Sequence, residues 1–162
     1  MCPSALRRSS LRSGRRTTTV GTSVRHTLVV DAGPLYANVD AEDPRHVHCA
    51  ALLNEFLGAL VIPQLVVAEV AYLLLARLGT RAEVLFLADI ASGAFSTDPV
   101  HPTDWLRITE LVKRYRDFPL GTVDASVIAC AERLGVTAVA TLDHRHFGAV
   151  RPAHVDGFEL LP

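Results

Sequence analysis

The chain predicts an α/β sandwich, with a central, mostly parallel β-sheet and helices on both faces. Three observations carry this. Short runs rich in β-branched residues, TLVVD at 27–31, LVI at 60–62 and TAVATL at 137–142, alternate with longer segments of helical periodicity. Proline, glycine and threonine punctuate the joins as helix starts and stops do. The 162 residues, 49% of them apolar, suffice for one core of this kind and are few for two.

The elements follow in order. The first strand ends at Asp31, and after Ala-Gly a short helix begins near Pro34, because proline suits a first helical turn. DAEDP at 40–44 is a polar loop, and 45–57 spaces Val47, Ala50, Ala51, Leu53 and Leu57 as a helix does. Beyond the 60–62 strand, Pro63 opens a long helix at 64–78 that Gly79 closes, and Thr80 caps another running to about 92. Residues 94–97 form a brief strand. Pro102 opens a helix through about 116, and Thr122 starts one that ends at Gly135. Strands at 137–142 and 158–161 complete the sheet.

Residues 1–26 stand apart, holding Arg7, Arg8, Arg12, Arg15, Arg16 and Arg25 and no acid, which predicts a disordered basic arm ahead of one folded domain at 27–162. With 6 of the 16 basic residues in the arm, the body sets 10 against all 17 acids, about −7 in formal charge. Such an arm suits nucleic-acid contact or mimics a transit peptide, but an upstream extension of the start site is the plainer reading. Cys2, Cys49 and Cys130 form no CxxC framework and read as thiols of a reducing cytoplasm. The longest apolar run, 65–78, is interrupted by Glu69 and Arg77 and is shorter than the roughly 20 residues that span a bilayer, so no membrane association is expected.

Four acids then need an account. Asp31 ends one strand and Asp143 ends another, and parallel strands bring such ends to one sheet edge, where ligands collect. Each alone also fits a helix or turn cap. Glu69 lies in LVVAEVAYLLL, a helix apolar around nearly its whole circumference, with no basic residue three or four positions away. A buried carboxylate is paired, protonated or bound to a cation; an arginine from elsewhere in the fold is the plain alternative. Asp124 sits in the first turn of the helix opened by Thr122, where the dipole alone would favour it. Together the four lack basic complements. Crowded carboxylates repel, and a hard divalent cation such as Mg²⁺, which prefers oxygen ligands, relieves the repulsion. Such a site activates water and neutralises phosphate, which fits phosphodiester hydrolysis.

These residues resemble the PIN-domain ribonucleases, and among them the VapC-type toxins of bacterial toxin–antitoxin pairs. The resemblance runs from Leu28 to Pro162 through VVDAGPLYA (Asp31), IPQLVVAEVAYLL (Glu69), PLGTVDASVIACAERLG (Asp124) and VATLDHRHF (Asp143). It implies a PIN-like α/β/α sandwich at 27–162 whose four acids line a Mg²⁺ or Mn²⁺ site for endoribonuclease chemistry. It also implies a hydroxyl at Thr141 beside the metal ligands and a recurring acid at Asp117 in YRDFPLG, either structural or beside those ligands. Its implied partners are an RNA substrate, a cognate VapB-type antitoxin and a second toxin copy. Two departures stand out: Gly33 where many relatives carry a hydroxyl, and Gly121 where some carry another acid.

The other candidates have plainer readings. His46/His48 and His144/His146 lack the Cys or His partners that zinc needs and read as surface or RNA-contacting residues. Arg145 is placed to meet a phosphate, although an exposed loop arginine is equally ordinary. Lys113, Arg114 and Arg116 complement a helix C-terminus, while Trp105 and Tyr115 read as packing residues. A non-catalytic PIN-like module that binds RNA or protein is the alternative function; keeping all four acids counts against it. A haloacid-dehalogenase-like phosphatase would need a second acid where Gly33 stands.

Overall fold

A computed structural model describes residues 26–118 and 120–162. The basic arm expected at 1–26 lies outside them except for His26. Twelve elements follow one another: β1 (Thr27–Val30), α1 (Ala32–Val39), α2 (His46–Glu55), β2 (Ala59–Pro63), α3 (Gln64–Leu78), α4 (Thr80–Ala91), β3 (Ser96–Asp98), α5 (Pro102–Arg114), α6 (Thr122–Leu134), β4 (Ala138–Ala140), α7 (His144–Ala149) and β5 (Glu159–Leu161).

The five strands form one sheet in the order β3-β2-β1-β4-β5, parallel throughout. Val29 of β1 pairs with Val61 on one side and Val139 on the other. Both faces of the central strand are covered, and Leu28, Val29 and Val30 are fully buried, as expected of a parallel strand that reads as an unbroken apolar run. Connections step outward from β1 to β2 to β3, then jump back to β4. Right-handed crossovers therefore place α1–α4 and α5–α6 on opposite faces. The order reverses at β1, so the crevice between the carboxyl ends of β1 and β4 is the switch point where such sheets bind ligands.

Several helices begin and end where their residues dictate. α1 starts at Ala32, two residues before the expected Pro34; proline is tolerated at the third position because first-turn N–H groups have no helical partner. Gly135 closes α6 with φ +66, a left-handed conformation costly for any residue with a Cβ. α3 departs from expectation. It buries only the stripe Val66, Val70 and Leu74, leaving Tyr72, Leu75 and Leu78 exposed, because α4, α1 and the sheet cover one side and nothing in the described chain covers the other.

The sheet's second half also differs from the sequence reading. β4 spans three residues, and the chain bends away at Thr141, whose N–H still reaches Leu161 O at 2.7 Å. The turn expected after Asp143 is the short helix α7. β3 falls at 96–98, two residues later than expected at its start. Cys49 and Cys130 are free thiols and buried. Tyr115 packs with its hydroxyl accepting from Arg151 N at 3.0 Å, whereas Trp105 stays half exposed. Among the described residues no helix is long and apolar enough to cross a membrane.

Candidate active site

Asp31 is the residue at which β1 becomes α1. Its N–H donates to Ala140 O at 2.9 Å, extending the β1–β4 ladder by one bond and pinning the side chain over the crevice. It occupies the N-cap of α1 but its side chain makes no capping bond, so the capping account fails here. The side chain is 6% exposed. Burial, opposed by hydrogen bonds from Thr141 and the Ala32 backbone and reinforced by the charges of Asp124 and Glu69, pushes its pKa up to about 6.

Thr141 is the partner that burial requires. Fully buried, it donates its hydroxyl to Asp31 Oδ2 at 2.8 Å and accepts the Asp143 N–H at 3.0 Å. One side chain thereby ties together acids 112 positions apart in sequence.

Glu69 reaches the crevice from α3 and Asp124 from the first turn of α6. Desolvation raises both pKa values, and each carboxylate adds to the effect on a neighbour: Asp124 on Glu69, and Asp143 on Asp124. Gly121 N–H donates to Asp124 Oδ2 at 3.4 Å, a weak bond that lowers the pKa without overcoming burial. Among the described residues no lysine or arginine pairs with Asp31, Glu69 or Asp124, so the arginine partner considered for Glu69 is not found.

Asp143 behaves differently. It caps α7, with Oδ1 accepting from His146 N at 2.8 Å and Oδ2 lying 2.5 Å from His146 Nδ1. Burial raises its pKa, but the His146 bonds outweigh burial and hold it below the usual carboxylate range. Both the plain reading of Asp143, a cap, and the sharper one, a member of an acid group, are realised in one side chain.

These groups line one open cleft of about 510 Å³ with Ala32, Gly33, Leu142, His144 and Arg145. Gly33 is small for a reason, since a Cβ there would sit 3.2 Å from Leu142 Cβ. Among the described residues no three His, Cys, Asp or Glu side chains close into a ready-made metal cage. The donors nonetheless fit a hard cation: they are oxygen only and unneutralised, and their ionisation is mutually disfavoured. Asp31, Glu69 and Asp124, with Asp143 beside them, are the residues able to hold one.

Asp117 is not brought to this group. It lies exposed on the turn after α5, 3.7 Å from Arg116, and does not line the cleft. Its neighbour Phe118, which the sequence reading passed over, does meet the site residues. Its ring packs edge-on to His146 (centroids 4.8 Å, interplanar 71°) and lies 5.2 Å from Arg145 Cζ. The signal was an aromatic beside a quoted acid, too weak to single out. Of the HxH pair at 46–48, His46 is structural, its Nδ1 lying 2.8 Å from Ala37 O and joining α2 to α1, whereas His48 is exposed.

A parallel sheet whose switch point gathers carboxylates from four separate segments, three of them without a lysine or arginine partner among the described residues, defines a class of hydrolytic α/β proteins. The chain belongs to the PIN domain family, whose model matches residues 28–151. It is 32% identical over 135 residues to ribonuclease VapC26 of Mycobacterium tuberculosis (strain ATCC 25618 / H37Rv), covering 83% of this chain and all of that protein. The crystal structure of M. tuberculosis VapC20 (Rv2549c), a Sarcin-Ricin loop cleaving toxin, is similar with a TM-score of 0.71 and 24% identity, over 80% of this chain and 98% of that one. VapBC2 from Rickettsia felis, solved bound to a DNA fragment from its promoter, is similar at 0.62 and 13% identity, over 84% and 99%. These two structural likenesses bear out the expected PIN-like α/β/α sandwich.

Proposed function

We propose that this chain is the toxin of a toxin–antitoxin pair, an endoribonuclease that hydrolyses RNA phosphodiesters with the help of Mg²⁺ or Mn²⁺. One observation carries the chemistry: four carboxylates at the β1/β4 switch point, three of them without a lysine or arginine partner among the described residues. The relative named a ribonuclease, matched over its whole length, supports the substrate class. The similar VapBC2 complex supports a VapB-type antitoxin as partner; a toxin homodimer inside the complex is our own inference.

The protein's own part is to hold charge in place. Asp31, Glu69 and Asp124 present oxygens across the cleft; Thr141 sets the rotamer of Asp31, and His146 sets that of Asp143. A divalent cation, when bound, supplies a Lewis acid that activates water and neutralises phosphate. The cleft's openness suits Mg²⁺, which keeps several of its waters and needs only one or two carboxylates.

The test is to incubate the purified chain with total RNA and Mg²⁺ or Mn²⁺, with and without chelator, beside Asp31→Ala. The expected result is metal-dependent cleavage that the variant loses. Cleavage indifferent to both chelator and Asp31 would overturn the mechanism. Binding of RNA without cutting would favour the alternative, a non-catalytic binding module.

A further inference from the structure

We infer that Arg145, laid on the ring of Phe118, is the residue that binds a phosphate of the RNA beside the acid group. The inference rests on the nuclease reading above and adds to it the group that offsets the site's own repulsion for substrate. Four carboxylates line the cleft, and RNA is itself a chain of anions, so an approaching strand needs a local cation fixed in the cleft wall.

Arg145 is the lining residue of the cleft that carries a permanent positive charge. It stands two residues from Asp143, yet among the described residues it forms no ion pair with any of the four acids. That is unexpected on charge alone, since an arginine free to choose would fold onto a carboxylate. Two contacts hold it away. Its guanidinium lies over the Phe118 ring, 5.2 Å from the centroid, a cation–π contact that restrains the side chain without consuming its hydrogen-bond donors. The near oxygens of Asp143 are already taken by His146 N and Nδ1.

Phe118 does both jobs at once. Its edge-on packing against His146 backs the ring that grips Asp143, and it also carries Arg145. The turn after α5 thus acts as a post against which the first turn of α7 is set. Arg145 is exposed, and its guanidinium is a planar fork of donors, the shape that phosphate oxygens match in pairs. Arg145 is therefore a substrate-binding residue and Phe118 a positioning residue.

The experiment is equilibrium binding of a labelled single-stranded RNA in Mn²⁺ across a salt series, in an Asp124→Asn background so that the RNA stays intact. Adding Arg145→Ala should weaken binding about tenfold at low salt and reduce the slope of log K against log salt by about 0.7, one phosphate's worth for a single strand. Arg145→Lys should restore the slope but not the full affinity. Phe118→Leu should weaken binding when Arg145 is present and have no further effect with Arg145→Ala, a coupling that a merely structural ring would not show. Phe118→Tyr keeps the ring face and should bind as the parent does. Unchanged affinity and slope in Arg145→Ala, or additive losses in the double variant, would overturn the assignment. Metal-dependent cleavage by the wild type under the same conditions would leave the nuclease reading standing even then.

Discussion

Asp104 and Asp124 occupy the same position in consecutive helices. Each is the third residue of its helix, and each accepts from the N–H of the residue before the helix, His101 at 3.0 Å and Gly121 at 3.4 Å. Capping explains both equally. What separates them is the next neighbour. Asp104 receives Arg133 Nε on both oxygens at 3.1 Å, and Arg133 also binds Asp98. Nearby, Arg107 grips Glu132 with two bonds of 2.7 and 2.8 Å. Among the described residues Asp124 pairs with no lysine or arginine; the charge of His146 lowers its pKa without overcoming burial, and other acids face it across a cleft. Half-buried acids of the two regions look alike in sequence, and the placement of arginine decides which are structural. The fold places Arg107 and Arg133 on α5 and α6, where they pair with Glu132, Asp104 and Asp98, and leaves the acids of the switch point without such partners.

Exchanging the paired carboxylates for amides tests this contrast directly. Asp124→Asn should lower RNA cleavage about a thousandfold, the several kcal/mol at stake when a cation loses a ligand, with a melting temperature equal to or above the wild type's. Asp104→Asn should do the reverse. It leaves Arg133 with Asp98 as its one remaining carboxylate and should cost about 1–2 kcal/mol in denaturant unfolding, while activity per folded molecule is unchanged. Equal losses of activity in both variants would erase the distinction between the regions.

The unpaired region should also leave a mark on the stability of metal-free protein. The Asp31 carboxyl has its pKa raised by burial to about 6 from 3.8. Between those values the folded state keeps a proton that the unfolded state has lost, so stability falls as pH rises through the window and the full cost stands above it. The shift corresponds to roughly 3 kcal/mol, so Asp31→Asn should be more stable than wild type at pH 7 and similar to it near pH 4. Added Mn²⁺ should stabilise the wild type and not the variant. A flat difference across pH, measured by urea unfolding with chelator present, would contradict the burial account.

The sequence showed the acids themselves and the sheet that gathers them. Asp31 and Asp143 were legible because β-branched runs end just before them, and Glu69 because an uncompensated acid in an apolar helix is conspicuous. What was hidden depends on contacts between distant segments. Arg133 binds acids 35 and 29 positions earlier, and no spacing rule reveals such pairs. The exposed face of α3 reads as core because hydropathy cannot say which side of a helix is covered. Asp117 drew attention as an acid that the family resemblance implies, while the contact belongs to Phe118 next to it. His146 lies three residues past Asp143, the reach of a cap, and a stricter reading of that spacing would have found it.

The smallest effect concerns Thr141, whose hydroxyl does for Asp31 what Arg133 does for Asp104. A hydroxyl fixes a carboxylate's rotamer but brings no opposing charge, so the oxygen it binds stays available to a cation. Thr141→Val removes the donor to Asp31 and the acceptor for Asp143 N–H together. It should cost about 1.5 kcal/mol at pH 7.5, and it should raise the Asp31 pKa further, since the Thr141 bond is a lowering influence. The window over which stability falls with pH then moves upward. Thr141→Ser keeps both bonds and should keep the wild-type window. If Val and Ser variants showed the same pH profile, the hydroxyl would be filling space only. If they differ, orientation without neutralisation is the rule by which this edge of the sheet holds its acids ready.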